Sequence, residues 1–204
     1  MKVTKEKIKL IFITFISVIV MGLALSVLNL IDWGNDPFTY MNVNIAKKLS
    51  VSLGNWQVIL NIIMFIPVII WGRKQIGIGT VFNMVLVGYS VDFFTWVWNV
   101  TGFDTLFDGM LVKGIMMVPA IVIFVFSAAT YMSTDLGTAP YDALPFIIAE
   151  KIKKIPFKYV RFCWDLLTVI IGFIVSGRLA IVTVCMMLFL GQTVSFVKEK
   201  FFKS

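Results

Sequence analysis

The chain has 204 residues, of which 59% are hydrophobic and 14% are charged, and its mean hydropathy is +0.94. This composition argues against a water-soluble domain, whose core does not require so large an apolar fraction. Although 18 Lys and Arg face 11 Asp and Glu, these charges fall mainly between long apolar runs, so we expect them to set membrane orientation and not to bind nucleic acid.

Six apolar runs are long enough to be membrane-spanning helices. They cover residues 10–31, 55–71, 77–99, 112–132, 158–176 and 180–197. The first run follows a basic segment, as in a signal peptide, but it is longer than the usual apolar region of a signal peptide, so we expect it to remain as a span. Aromatic residues near the ends of the runs are typical of anchors at the level of the lipid headgroups. They are Trp33, Trp56, Trp71, Trp96, Trp98 and Tyr131.

The distribution of basic residues predicts the orientation of these spans. With the N-terminus in the cytoplasm, 14 of the 18 Lys and Arg lie on the inner side, and only Lys47, Lys48, Lys113 and Arg178 lie outside. Basic residues are enriched in cytoplasmic segments, and an even number of spans returns the chain to its starting side. We therefore predict a multi-pass protein of the cell membrane with both termini in the cytoplasm.

The sequence repeats itself at an offset of 103 residues. The segment Gly34–Phe38 reappears as Gly137–Tyr141, both in the pattern G-x-x-P followed by an aromatic residue. Residues 1–103 and 104–204 each contain three of the six runs, and an odd number of spans places the second copy upside down. We therefore predict one all-α transmembrane domain over 1–204, built from six helices as two inverted three-helix repeats.

A short amphipathic stretch follows the first span of each repeat. In residues 37–52, Phe38, Met41, Ile45 and Leu49 share one helical face, and the second copy has the same pattern. The corresponding residues are Tyr141, Leu144, Ile148 and Ile152. We expect a short helix in each repeat, lying in the membrane interface or re-entering the membrane.

The residues before these short helices are typical of helix N-termini. Pro37 and Pro140 suit the first helical turn, and Asn35 or Asp36 can cap the first copy. Free N–H groups at such a terminus can hold an anion, and because Asp36 would repel one, an anion is expected rather at Gly137–Tyr141. The alternative is that the two G-x-x-P motifs, which start at Gly34 and Gly137, only end one helix and begin the next.

Five polar residues inside the apolar runs are candidate substrate contacts, because a charged group at the bilayer centre costs at least about 2.5–3.5 kcal/mol and needs a partner or a role. They are Asn61, Thr80, Asn83, Asp92 and Asp165. Helical spacing places Thr80, Asn83 and Asp92 near one face. Structural alternatives are hydration of Asp92 near the outer interface, an interhelical hydrogen bond of Asn83, and an ion pair of Asp165 with Arg161 four residues earlier.

The sequence contains no histidine, which excludes haem ligation by His and His-based acid–base chemistry. It also lacks a P-loop, G-x-S-x-G and H-E-x-x-H, so we expect no enzyme, no metal and no cofactor. The sequence alone leaves a Cys163–Cys185 disulfide open, but we expect two free, buried thiols, since both lie in apolar runs.

The first half carries a further pattern. Its elements are Gly34-x-x-Pro37, then Gly72-Arg73, then Ile78-Gly79-Thr80-x-x-Asn83, which leads through Gly88 to Asp92. With these motifs the chain resembles the YczE/YyaS/YitT family of bacterial membrane proteins. The resemblance implies a multi-pass cell-membrane protein that is often regarded as a transporter, and it supplies no catalytic residues. The second half departs from the pattern, with Val182, Met186 and Ser195 at the positions of Gly79, Asn83 and Asp92.

Two functions fit these observations. The first is a transporter or exporter of an unknown small molecule, favoured by the duplication and by polar residues within the spans. The second is a non-transporting scaffold or accessory subunit whose basic segments 151–161 and 198–203 bind anionic lipid or a partner protein. The expected partners are therefore the lipid bilayer, an unknown small-molecule substrate, and a protein partner or a second copy of the chain.

Overall fold

A computed structural model describes residues 4–202. Within this part of the chain it contains eight α-helices and no β-strand. The helices are α1 (Lys5–Ile31), α2 (Pro37–Leu49), α3 (Leu53–Trp71), α4 (Ile78–Thr101), α5 (Met110–Ser133), α6 (Pro140–Ile152), α7 (Phe157–Ser176) and α8 (Ile181–Phe201). All except α2 and α6 are long and apolar enough to cross a membrane, so the prediction of six such helices and two short ones is confirmed.

The two halves use the same backbone turns. Three pairs of residues, separated by 103 positions, have positive φ angles of nearly equal size. They are Asp32 and Asp135 at 57° and 51°, Gly34 and Gly137 at 114° and 112°, and Ser50 and Lys153 at 55° and 54°. The sequence repeat is therefore also a repeat of local structure, with the same loop before each short helix and a residue of positive φ directly after it.

The helices α1 and α5, one from each half, pack against each other. Helix α4 packs against α1, and α8 packs against α5; α2 contacts α7, and α6 contacts α3. Many large apolar side chains on the outer surface, such as those of Ile63 and Ile174, are exposed. Such a surface suits lipid rather than water, and the chain is thus a multi-pass protein in contact with the bilayer.

Two expectations about side-chain position are wrong. Tyr131 is only 2% exposed, and its hydroxyl donates to the Gly137 carbonyl at 3.0 Å, so it is not a headgroup anchor. Cys163 and Cys185 are free thiols, as expected, but they lie on exposed surfaces of their helices and not in the protein interior. In both cases the apolar pattern predicted depth in the membrane but not which side of the helix faces protein.

Candidate functional site

The loops before α2 and α6 are fastened to helices of the opposite half. The Val182 amide, at the start of α8, donates to the Trp33 carbonyl at 3.1 Å. At the corresponding positions, the Gly79 amide of α4 donates to the Leu136 carbonyl at 2.8 Å. Each loop therefore contacts the N-terminus of the last helix in the other half, and the two contacts correspond residue for residue.

Gly34 and Gly137 allow these close contacts. A Cβ atom at Gly34 would lie 2.5 Å from Thr183 Oγ1, and one at Gly137 would lie 2.5 Å from Thr80 Oγ1. Both glycines also have φ angles that other residues rarely adopt. Thr80, a predicted substrate contact, is thus fully buried against this loop, where its hydroxyl accepts from the Gly77 amide at 3.1 Å.

The short helices α2 and α6 begin in the protein interior. Pro37 and Pro140 occupy the first helical turn, and the Asp36 carboxylate caps α2 by accepting from the Thr39 amide at 3.1 Å. The first two turns of α2 are buried or half-buried on all sides, polar Asn42 included, whereas its last turn is exposed. Burial in α2 therefore depends on the position along the helix and not on the side of the helix. The apolar face predicted for residues 37–52 does not coincide with the buried part of α2.

A cavity of about 180 Å³ lies between the N-termini of these two helices. Helices α1 and α5 both line it, and both halves contribute residues at corresponding positions. The corresponding pairs are Met21 and Phe124, Leu25 and Ala128, Asp36 and Ala139, Phe38 and Tyr141, Thr39 and Asp142, and Val87 and Leu190. The rings of Phe38 and Tyr141 stack with their centroids 4.3 Å apart, so the two halves meet at this point.

One side of the cavity carries a cluster of charged groups. Arg161 Nη1 lies 2.6 Å from Asp142 Oδ1, and Arg161 Nε lies 3.0 Å from Asp165 Oδ2. The Tyr141 hydroxyl donates to Asp165 Oδ1 at 2.5 Å. Arg161 and Asp142 line the cavity, and Asp165 lies behind them. The predicted pairing of Asp165 with Arg161 is confirmed, and this single guanidinium is shared by two carboxylates.

The corresponding positions of the first half are neutral. After a one-residue adjustment of the repeat in α3 and α7, Thr39, Gln57 and Asn61 correspond to Asp142, Arg161 and Asp165. Gln57 and Asn61 are each 2% exposed, and both line the cavity. The cavity therefore has one neutral polar side and one charged side.

Two buried oxygen atoms of the cavity have no protein partner within residues 4–202. They are Asp36 Oδ2 and Asn61 Oδ1, on residues that are 8% and 2% exposed. A buried polar atom without a partner costs about 1–3 kcal/mol, so such atoms mark a place where a ligand gains affinity. Asp36 lies between the spanning helices α1 and α3, and burial raises the pKa of its carboxyl group from 3.8 to about 6.

The structure separates the predicted site residues into two groups. Asn61 and Asn83 line the cavity, and Asp165 is one contact away from it. Asp92 instead caps α3, since its carboxylate accepts from the Leu53 amide at 3.1 Å and the Gly54 amide at 2.7 Å. The polar face predicted along α4 thus does not act as one surface.

Sequence reasoning did not include several cavity residues among the substrate contacts. The charge distribution assigns Arg161 to the cytoplasmic side. Its position within an apolar run, four residues before Asp165, also indicates a polar contact inside the protein. Gln57 likewise lies within an apolar run. Tyr141 and Asp142 directly follow Pro140, but a cavity at this point depends on contacts with α1, α2 and α7 that no local pattern contains.

The fold and this site define a polytopic α-helical membrane protein with a mainly apolar central cavity that carries a few polar and charged side chains. A model of a family of unknown function, DUF6198, matches residues 8–199, and the chain belongs to this family.

The chain is also similar to three curated proteins of uncharacterized function. It is 25% identical to the uncharacterized protein YyaS of Bacillus subtilis over 178 residues, 84% of this chain and 85% of that protein. It is 25% identical to the uncharacterized membrane protein YczE of the same organism over 118 residues, 58% of this chain and 52% of that protein. An uncharacterized protein of Haemophilus influenzae is 23% identical over 190 residues, 92% and 83% of the two chains. No solved structure matches the chain. The resemblance to the YczE/YyaS relatives is therefore confirmed.

Proposed function

We propose that the protein is a small-molecule transporter whose two halves form an inverted repeat around the central cavity. The corresponding contacts Trp33–Val182 and Leu136–Gly79 support a two-fold exchange of the halves. Three spanning helices in each half then require opposite orientations, and the excess of Lys and Arg in the segments assigned to the inner side favours cytoplasmic termini. Transporters built in this way bind their substrates between the repeats.

In this arrangement α2 and α6 are re-entrant helices that approach the cavity from opposite membrane faces. Their N-termini line the cavity, whereas their exposed last turns carry Lys47 and Lys48 in α2 and Lys151 in α6. Helix ends placed near the midplane can interact with a substrate through their free backbone groups. Irregular backbone at that depth is tolerated because it is enclosed by protein.

The observation that carries the proposal is the pair of unpartnered oxygen atoms, Asp36 Oδ2 and Asn61 Oδ1, in one central cavity. An acidic group inside a membrane protein is costly and is usually retained for function. Asp92, by contrast, has a structural role and is paired at the start of α3.

A difference between the halves supports alternating access. A Cβ atom at Gly88 of α4 would lie 2.8 Å from Gly54 Cα of α3, so these two helices are closed against each other. Gly191 is at the corresponding position of α8, and a Cβ atom there would have no neighbouring atom within 4 Å. Gly191 lines the cavity together with Phe157 and Ser195. Exchange of the open and closed sides between the halves would expose the cavity to the other membrane face.

The test is flux through proteoliposomes that contain the purified full chain. A panel of organic cations, zwitterions, anions and neutral solutes is offered with and without a proton or sodium gradient. For a transported solute, Asp36→Asn and Asn61→Ala should lower flux about tenfold or more, as expected for loss of a hydrogen bond to a buried polar or charged group. Asp108→Asn is the matched control, because Asp108 is exposed and lies outside the cavity.

Two results would contradict this proposal. One is the absence of flux for every solute class with correctly folded protein, and the other is equal flux in all variants. A stoichiometric protein partner that is lost when Lys151, Lys153 and Lys154 are neutralised would instead support the scaffold function.

A further inference from the structure

The cavity has more negative than positive side chains. Asp36 and Asp142 line it, and Asp165 lies directly behind Asp142's partner, Arg161. Among residues 4–202, Arg161 is the one Lys or Arg that lines the cavity. Its guanidinium is already engaged by Asp142 and Asp165 at 2.6 and 3.0 Å, so it is poorly available to a ligand anion.

Asp36 is the carboxylate that remains for a ligand. No Lys or Arg within residues 4–202 forms an ion pair with it. Its neutral donors are the amide and the side chain of Thr39, and its Oδ2 atom is buried without a partner. A buried carboxylate without a cation is stable only when it is protonated or when a positive ligand pairs with it. The environment of Asp36 therefore favours a cation or a proton at Oδ2.

The helix N-termini do not reverse this preference. Asp36 caps α2, and Asp142 lies in the first turn of α6, so each positive helix end already has a carboxylate beside it. An anion at Gly137–Tyr141, the site expected from the sequence, would lie next to Asp142. The negative charges of the anion and of Asp142 would repel each other, which disfavours an anionic ligand.

The size and walls of the cavity restrict the cation to a small organic one. Apolar cavities of about 150 Å³ hold a molecule the size of benzene, and this cavity of about 180 Å³ is similar. Met21, Leu25 and Phe124 supply apolar walls, and the Phe38 ring belongs to the same lining. Tyr141 stacks on Phe38, and the Arg161 guanidinium carbon lies 5.1 Å from the centroid of the Tyr141 ring. Aromatic faces attract ammonium groups that carry alkyl substituents, whereas a bare inorganic cation needs several oxygen ligands.

We propose that the cavity binds a small monovalent organic cation, with its ammonium group beside Asp36 and its alkyl groups against Phe38 and the apolar side chains of Met21, Leu25 and Phe124. The inference rests on the transporter proposal and names the substrate class of the same site. Binding to protonated protein releases the Asp36 proton to solvent, so that cation and proton compete for one carboxylate.

This competition makes binding dependent on pH. The charged and titratable groups around the cavity are Asp142 and Tyr141 of α6, Arg161 and Asp165 of α7, and Tyr131 of α5. Burial raises the pKa of Asp36 to about 6. The carboxyl group is therefore ionised above about pH 6, and its negative charge is lost as the pH falls below this value. Affinity for the cation should therefore be about tenfold lower at about pH 5 than at about pH 7.5.

The experiment is isothermal titration calorimetry, in which each probe is titrated into the purified full chain in detergent. The probes are choline, tetramethylammonium and methylammonium, with 3,3-dimethylbutan-1-ol as the neutral isostere of choline and 3,3-dimethylbutanoate as the anion. At least one cation should bind, the neutral isostere and the anion should bind at least about tenfold more weakly, and Asp108→Asn should bind as the unchanged chain does.

Asp36→Asn should weaken cation binding about tenfold or more, whereas Asp36→Glu, which keeps the charge, should retain part of it. Asn caps helices as well as Asp, so Asp36→Asn is expected to fold, and thermal unfolding checks this. The inference is overturned if none of the three cations binds, if the neutral isostere or the anion binds as tightly, or if Asp36→Asn binds normally. Cation binding without any flux would contradict the transporter proposal and leave this inference standing.

Discussion

Arg161 is the residue on which the charged side of the cavity depends. Its guanidinium contacts Asp142 and Asp165, and Tyr141 donates a further hydrogen bond to Asp165. Removal of one partner from a buried ion pair costs more than the pair contributes, because the remaining charge keeps its desolvation penalty. Here one substitution would leave two carboxylates without a cation.

Because this ion pair is only partly buried, we predict that Arg161→Gln lowers the free energy of unfolding by about 1–3 kcal/mol, seen as a lower midpoint of thermal unfolding in detergent. The triple variant Asp142→Thr, Arg161→Gln, Asp165→Asn should recover most of this loss. It gives all three positions the residues of the neutral half, Thr39, Gln57 and Asn61, and leaves no carboxylate unpaired. A triple variant no more stable than Arg161→Gln would contradict this account.

Helices α2 and α6 are the elements that distinguish the fold from a plain six-helix bundle. Each starts with a proline, follows a glycine with φ above 110°, and is buried at its start but exposed at its end. Local chemistry accounts for the start of each helix, since proline fits the first turn and glycine tolerates the preceding bend. Whether the two helices approach from opposite membrane faces is the central claim of the inverted repeat.

Cysteine labelling tests that claim. In a variant whose Cys163 and Cys185 are replaced by Ala, Lys48→Cys at the end of α2 should react with a membrane-impermeant maleimide in intact cells. Lys154→Cys, just beyond α6, should react only after the membrane is permeabilised. Both native cysteines are exposed on the surface of the spans, so their replacement should change packing little. Reaction of both sites from the same side would exclude the inverted arrangement.

At the scale of the whole molecule, the two halves have similar elements but different packing. Gly88 is enclosed by α3, whereas Gly191 faces open space beside the cavity. In a protein with two alternating states, the halves exchange these environments, and the open position in one state is the packed position in the other. Under the proposed alternating access, the difference between the glycines reflects the conformational state rather than unequal design.

We predict that Gly88→Leu destabilises the protein by about 1–3 kcal/mol through overpacking, whereas Gly191→Leu changes its thermal unfolding little. Gly191→Leu should nevertheless abolish flux in proteoliposomes, because the added side chain prevents α7 and α8 from closing. Full transport by Gly191→Leu would refute the alternating exchange. A loss of stability equal to that of Gly88→Leu would refute the packing difference.

Much of the architecture follows from local features of the chain. The length of an apolar run indicates a span, and the positions of Pro37, Pro140 and the repeated glycines indicate two further short helices, because these are properties of neighbouring residues. The Arg161–Asp165 pair was also predictable, since residues four apart on a helix are neighbours. Orientation in the membrane and the inverted relation of the halves are predictions of the same kind that labelling can test.

The cavity could not be predicted from the spacing of residues along the chain. Thr80, Asn83 and Asp92 lie near one face of α4, yet the Thr80 hydroxyl bonds to the turn before α4, Asp92 caps the start of α3, and only Asn83 reaches the cavity. Asp36, Asn61, Tyr141 and Arg161 come together from distant parts of the chain. The physical reason is that a polar side chain takes the partner that packing brings within hydrogen-bond distance, and this packing between distant helices is a property of the folded chain.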